Sequence, residues 1–349
     1  MDVRDRVRGC LLGGAIGDAL GAPVEFHSLR DIRRDHGPAG LTGYVPTWRG
    51  TSGLVTDDTQ MTLFTVEGLL RAAHGNRSPD DAAGGAPGGS PDGDVLRCVR
   101  EAYLRWLDTQ DHHEPPPADR PHRTGRLREE GWLYSRRAPG TTCLSGLHRP
   151  FPGPSPLGEP GPVNPGSKGC GTVMRSAPFG LARRAPREAF ELAAACAQIT
   201  HGHPTGYLAA GAFAAIIAYL MAGEALEPAV HGALGLLAGY PSHEETTAAL
   251  RAALAAAAAG PHSPERVETL GGAWVAEEAL AIGVYCALAE PSVERALLLS
   301  VNHSGDSDST GSVCGNLLGT MHGADALPEA WLTPLEGRRT IERLAAELS

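Results

Sequence analysis

Two acidic turns constrain this chain more than any other feature. Thr56-Asp57-Asp58-Thr59 and Asn302-His303-Ser304-Gly305-Asp306-Ser307-Asp308-Ser309-Thr310-Gly311 stand about 250 residues apart. Each precedes apolar residues at helical spacing: Met61, Leu63, Phe64, Val66, Leu69 and Leu70 after the first, and Val313, Leu317, Leu318 and Met321 after the second. Carboxylate and hydroxyl oxygens at this density suit a hard cation (Mg²⁺, Mn²⁺ or Ca²⁺) rather than zinc. Capping and the helix dipole favour the same residues at a helix start, so either turn alone decides nothing. If both serve one site, the first and last fifths of the chain must meet, and a single domain over residues 1–349 is the economical organisation.

Two familiar explanations of the second turn fail. As an EF-hand loop, Asp306, Asp308, Thr310 and Gly311 fit positions one, three, five and six, but the twelfth position is Leu317, where a bidentate Glu is required. An Asp-x-Asp-x-Thr phosphatase would place its nucleophile at the end of a buried strand and need a later lysine. The residues before Asp306 are polar, and the only lysine is Lys168.

Forty acidic against thirty basic residues leave a formal charge of −10, and no long basic cluster is present, so nucleic acid is not expected as a partner. Seven scattered cysteines without a Cys-x-x-Cys pair argue against a disulfide framework or a zinc site and fit a reducing cytoplasm. The opening MDVRDRVRGCLLGGAIGDALGA imitates a secretion signal, but Asp2, Asp5 and Asp18 spoil it, and it is read as mature sequence. The abundance of Ala, Gly, Arg and Pro with a single Lys suggests a GC-rich bacterial origin.

The pattern predicts an all-α fold. Helices are expected over Val3–Leu20, Asp57–Ala73, Val95–Thr109, Thr172–Arg183, Arg187–Ile199, Thr205–Met221, Pro228–Leu237, Glu244–Ala258, Ala273–Ala289, Val293–Val301, Ser309–Met321 and Arg338–Leu348. Mobile loops are expected over 76–93, rich in Gly, Pro and Asp, and over 111–167, rich in Pro. Pro204–Gly223 carries no charge over twenty residues. Its Ala and Gly content, two tyrosines and polar His201-Gly202-His203-Pro204 start point to a buried helix rather than a membrane span.

Five segments together resemble the ADP-ribosylglycohydrolase family, in the right order and over nearly the whole chain. They are Gly17-Asp18-Ala19-Leu20-Gly21 with Glu25 after it, Thr56-Asp57-Asp58-Thr59, Gly169-Cys170-Gly171-Thr172-Val173-Met174-Arg175, Thr200-His201, and Gly305-Asp306-Ser307-Asp308-Ser309. The resemblance implies a single large orthogonal multi-helix domain whose helix ends converge on two divalent cations, Mg²⁺ or Mn²⁺. By position, Thr56, Asp57, Asp58, Asp306, Asp308 and Ser309 are the implied metal ligands, Ser309 standing where a Thr is often found, with Glu25 at the mouth. Asp18 is either near the site or a structural hydrogen-bonding group.

The implied reaction is hydrolysis of the glycosidic bond between ADP-ribose and an acceptor, which passes through an oxocarbenium-like state and needs a placed water and a rigidly held sugar. Glu25 is the first choice to move the proton, and Asp57 and Asp58 compete for that catalytic role. Gly169, Cys170 and Gly171, entering a helix at Thr172 and continuing to Met174, would offer backbone N–H groups to a diphosphate. His201 is implied as a substrate contact. Asn302 and His303 either line the pocket or cap the turn. A zinc site on His201 and His203 lacks a third ligand.

The segment Arg136–Ser145 is expected over the pocket. Such loops leave the acceptor open: an arginine or serine of an ADP-ribosylated protein, or a small ADP-riboside. No membrane partner is expected, and the chain is expected to be a monomer. A metal-dependent phosphohydrolase of a nucleotide diphosphate and a catalytically silent ADP-ribose-binding relative are the alternatives, the intact acidic set arguing against silence.

Overall fold

The apolar spacing at three and four becomes helix throughout. The computed structural model describes residues 2–47, 50–74, 91–182 and 185–349. Its helices are α1 Val3–Gly21, α2 Leu29–His36, α3 Asp57–Ala73, α4 Pro91–Asp111, α5 Thr141–Leu147, α6 Ala177–Leu181, α7 Pro186–Ala197, α8 Pro204–Met221, α9 Leu226–Leu237, α10 Glu244–Ala259, α11 Pro264–Glu268, α12 Ala276–Ala289, α13 Val293–Val301, α14 Ser307–His322, α15 Glu329–Leu332 and α16 Arg338–Leu348. Among the described residues, β pairing is confined to one bridge between Gly169 and Val275. The fold is all-α.

All but one of the expected helices are present, α3, α13 and α16 with the expected ends and the others with shifted ones. The helix expected over Thr172–Arg183 is a three-residue 3-10 turn, Cys170–Thr172, followed by the short α6. Pro178 explains the break: it has no N–H for an i→i−4 bond, and its ring disfavours helix in the residue before it, so helix can begin here only with Pro178 in the first turn. The helix expected from Ala273 begins at Ala276 because Ala273 has φ +64, outside the right-handed helical region. Helices α2, α5, α11 and α15 were not expected; all are short. Most of the 76–93 loop lies outside the described residues, and 91–93 belong to α4. The 111–167 stretch carries little regular structure beyond α5 and the 3-10 turns Leu127–Glu129 and Gly131–Leu133, yet Leu127, Leu133 and Cys143 anchor it in the core.

Helix α8 is long and apolar enough to cross a membrane, but 89% of it is buried within the protein, against α6, α7, α9 and α12. A helix apolar on every side needs a core around it, and this one has it.

Helices α1 and α14 bring the chain ends together. Gly9, Gly13, Gly17 and Gly21 recur every four residues and so share one face of α1; Ser307, Gly311, Gly315 and Gly319 do the same on α14. The two rows meet antiparallel. A Cβ on Gly13 would stand 2.3 Å from Gly315 O, and one on Gly17 would stand 1.9 Å from Gly311 O. No real carbon fits there, so backbone lies on backbone, closer than larger side chains permit. The antiparallel register sets the end of α1 beside the start of α14.

Candidate metal centre and active site

Asp18, near the end of α1, is buried, and its carboxylate accepts from Thr56 N (3.0 Å), Thr59 N (3.1 Å) and Thr59 Oγ1 (2.5 Å). These bonds fasten the first turn of α3 to α1, which is the structural role of the two offered by the sequence. Thr56 caps α3, its Oγ1 accepting from Asp58 N at 3.3 Å. Asp57 Oδ2 accepts from Gly140 N at 3.2 Å, so the Arg136–Ser145 segment reaches the site. On α14, Asp306 is the cap and accepts from Ser309 N at 3.2 Å; Asp308 accepts from the same N–H at 3.0 Å. Gly305 has φ +124, and a Cβ there would be 2.2 Å from Gly272 O, so only glycine allows the turn. Gly272 O in turn accepts from Asp306 N at 3.0 Å.

The two acidic turns share one site. Ligand atoms of Glu25, Asp306 and Asp308 all lie within 4.8 Å of one another. Burial, reinforced by neighbouring carboxylates, raises Glu25 to about 8 and Asp57 to about 7, and lifts Asp58 and Asp308 well above the usual carboxylate range. Asp58 Oδ2 is buried without a hydrogen-bond partner. A buried orphan oxygen among mutually repelling carboxylates is an incomplete electrostatic arrangement, and a hard cation with oxygen ligands would complete it. Glu25, which the sequence placed only at the mouth, stands at ligand distance. The Ser309 hydroxyl lies beside the Asp58 carboxylate.

A stability prediction arises here. Carboxyls raised in the fold keep their protons at pH values where the unfolded chain, near 4, has lost them, so folded stability falls as pH climbs through about 4 to 8. In chelator, the melting temperature should drop by about 5 °C between pH 5.5 and pH 8. Mn²⁺ or Mg²⁺ should restore it at pH 8, where protons no longer compete for the oxygens. Thermal melts with and without chelator decide it: no restoration by cation would remove this cluster as a metal centre.

The expected substrate-binding residues divide. Gly169 and Cys170 are half-buried, and the Cys170 thiol lies beside Asp306 and Ser309. The others face inward. Thr172 Oγ1 donates to Gly206 O at 2.8 Å, and Met174 is in the core. Gly171 must be glycine because a Cβ would meet Cys143 Sγ at 2.7 Å, behind the turn. Cys170 N–H is taken by Trp274 O at 3.3 Å. With three residues of 3-10 helix, this turn lacks the aligned dipole expected to receive a diphosphate.

His201 is buried behind the same turn, its Nδ1 on Thr200 Oγ1 at 2.8 Å, and burial holds it neutral. Asn302 and His303 were offered as either pocket residues or caps of the turn; their hydrogen bonds make them braces of it. Asn302 Oδ1 accepts from Leu41 N at 2.7 Å and its amide donates to Leu41 O and Leu298 O, while both His303 nitrogens are engaged, with Thr310 Oγ1 and Ser304 O. His203 caps α8. Sequence reasoning missed the Phe26–Trp274 ring pair beside Glu25, because adjacency across 248 positions leaves no local pattern.

Comparison with known proteins agrees with the geometry. A family model described as ADP-ribosylglycohydrolase matches residues 1–349. The ADP-ribosyl-[dinitrogen reductase] glycohydrolase of Rhodospirillum rubrum is 26% identical, covering 99% of this chain and 97% of its own. ADP-ribosylhydrolase ARH3 of Mus musculus is 25% identical over 98% and 90% of the two chains, and ADP-ribosylarginine hydrolase Tri1 of Serratia proteamaculans 23% identical over 99% and 79%. A solved structure described as an ADP-ribosylglycohydrolase-related protein complex superposes with a TM-score of 0.62 at 24% identity, covering 99% of this chain and 97% of that one, and shares the fold.

Proposed function

We infer that this chain, which belongs to the ADP-ribosylglycohydrolase family, works by cation-assisted hydrolysis of the bond from C1″ of ADP-ribose to a protein side chain or small acceptor, releasing intact ADP-ribose. The family membership carries the coarse statement: the chain is an enzyme, a hydrolase of ADP-ribose glycosidic linkages. The finer reading rests on one observation, the meeting of Glu25 with Asp306 and Asp308 at ligand distance.

Two divalent cations, Mg²⁺ or Mn²⁺, suit the donor set, with Asp306, Asp308, Asp57, Asp58 and the hydroxyls of Thr56 and Ser309 as their holders and Glu25 adjoining them. Bound there, such ions orient a sugar diol and lower the pKa of a held water. The protein's own groups do the rest. Asp18 and the α3 cap keep the first acidic turn rigid, and the Asp306 and Asn302 bonds keep the second so, which preserves reacting distances. Glu25, partly exposed and raised to about 8, is suited to hold and then move a proton at its carboxylate oxygen near neutral pH.

A product assay tests this. With Mn²⁺ or Mg²⁺, purified protein should release ADP-ribose from ADP-ribosylated protein or ADP-ribosylarginine, and excess chelator should stop it. AMP as the product would replace this reading with diphosphate cleavage. Binding of ADP-ribose without turnover of any linked substrate would make the chain a silent relative.

A further inference from the structure

Phe26 and Trp274 are the large hydrophobic side chains left open to solvent among the described residues, 67% and 44% exposed. Their rings stack, with centroids 5.1 Å apart and planes 21° from parallel. The backbone presents them deliberately. Phe26 itself has φ +70, and Ala273, directly before Trp274, has φ +64. Residues with a Cβ rarely adopt this region, and it persists only where the surroundings impose it, most often at functional sites.

The surroundings here are the acidic cluster. Phe26 follows Glu25 in the chain. Trp274 lies in a segment tied on one side to the metal turn, through Gly272 O and Asp306 N at 3.0 Å, and on the other to Cys170, through Trp274 O and Cys170 N at 3.3 Å. The ring pair therefore stands on the rim where Glu25, Asp306 and Cys170 meet. Glu268, exposed on the same rim, accepts from Ser304 N at 3.1 Å and adds a further acidic side chain there.

The acceptor is the part of the substrate bonded to C1″, so it lies nearest the carboxylate that moves the proton, and the residue after Glu25 is well placed to touch it. A serine acceptor offers one oxygen and no flat surface. A guanidinium is planar, cationic and weakly hydrated, stacks on aromatic faces, and is drawn to a carboxylate-lined mouth. We propose that the Phe26–Trp274 pair is the acceptor platform, holding the guanidinium of an arginine joined to ADP-ribose and thereby favouring arginine-linked over serine-linked substrates. This rests on the glycohydrolase reading above.

The test compares hydrolysis of ADP-ribosylarginine and ADP-ribosylserine, with Mn²⁺, by the unaltered protein, Phe26→Ala, Trp274→Ala and Trp274→Phe. The alanine variants should raise KM for the arginine-linked substrate about tenfold, with kcat little changed, and lower the arginine-over-serine preference by the same factor, while Trp274→Phe keeps most of it. Equal losses on both substrates would assign the pair to the ADP-ribose half and overturn the proposal, as would an unaltered preference. Agmatine supplies a readout that needs no turnover: it should quench the tryptophan emission that Trp274→Phe removes, and do so more weakly in Phe26→Ala. Quenching without hydrolysis of either substrate would refute the reaction and keep the platform. Hydrolysis with neither agmatine response nor altered preference would refute the platform alone.

Discussion

Asp306→Asn should lower turnover by about a thousandfold or more in a protein that still folds. Asp306 has two separable duties. As the cap of α14 it accepts from Ser309 N, and asparagine caps as well as aspartate, so the helix start survives. As a member of the Glu25–Asp308 group it offers two carboxyl oxygens, and asparagine replaces one of them by an NH₂ that can only donate. If the proposed cation site is right, losing one of its oxygen donors would remove several kcal/mol of reacting-state stabilisation, from which the factor follows. Turnover and cation titration measured beside thermal melts separate the duties. Unchanged turnover would refute the cation mechanism, and a collapsed melt would mean that the capping role had been underrated.

The second large effect is structural. Gly315→Ala should destabilise by about 3 kcal/mol and Gly315→Val by more, because a Cβ there would stand 2.0 Å from Gly13 O and the two backbones cannot part without disturbing the site at the end of α1. The sign is the informative part, since alanine is ordinarily the better helix former by about 1 kcal/mol. Gly235 in α9 is the control: nothing lies within 4 Å of its would-be Cβ, and Gly235→Ala should gain about 0.5–1 kcal/mol. Denaturant unfolding of the variants checks both. A stabilised Gly315→Ala would mean that α1 and α14 are not in backbone contact.

Much of the fold was legible because its helices announce themselves. The bounds of α3, α13 and α16 match expectation, each with a polar start and an apolar stripe. Other ends escaped because their causes are local and quiet: Pro178 resets a helix start, and α2 hides in eight mostly charged residues, though Ser28 with Asp31 three later is a readable cap. The glycine rows of α1 and α14 were also readable as small residues at every fourth place. Their meaning was not, since either row becomes a contact only when the other lies against it.

The candidate site divides in the same way. That Asp57, Asp58, Asp306 and Asp308 form part of one acidic centre followed from residue type, turn chemistry and family pattern. Which neighbours serve the substrate did not. Asn302, His303, Thr172 and Met174 belong to the same turns and motifs as the acids or lie beside them, yet their side chains point into the protein and brace it. A polar residue beside a functional one has two faces to choose from, and the choice depends on what packs behind it.

By itself the sequence determined the helical class, the oxygen-rich chemistry and the family, because each is written in residue type and short spacing. Only the tertiary structure decided that Glu25 joins Asp306 at ligand distance, that Asp18 is a fastening, and that two exposed rings flank the mouth. Those outcomes depend on the antiparallel register of α1 against α14, and that register is set by backbone touching backbone across some three hundred residues, a contact that no local pattern encodes.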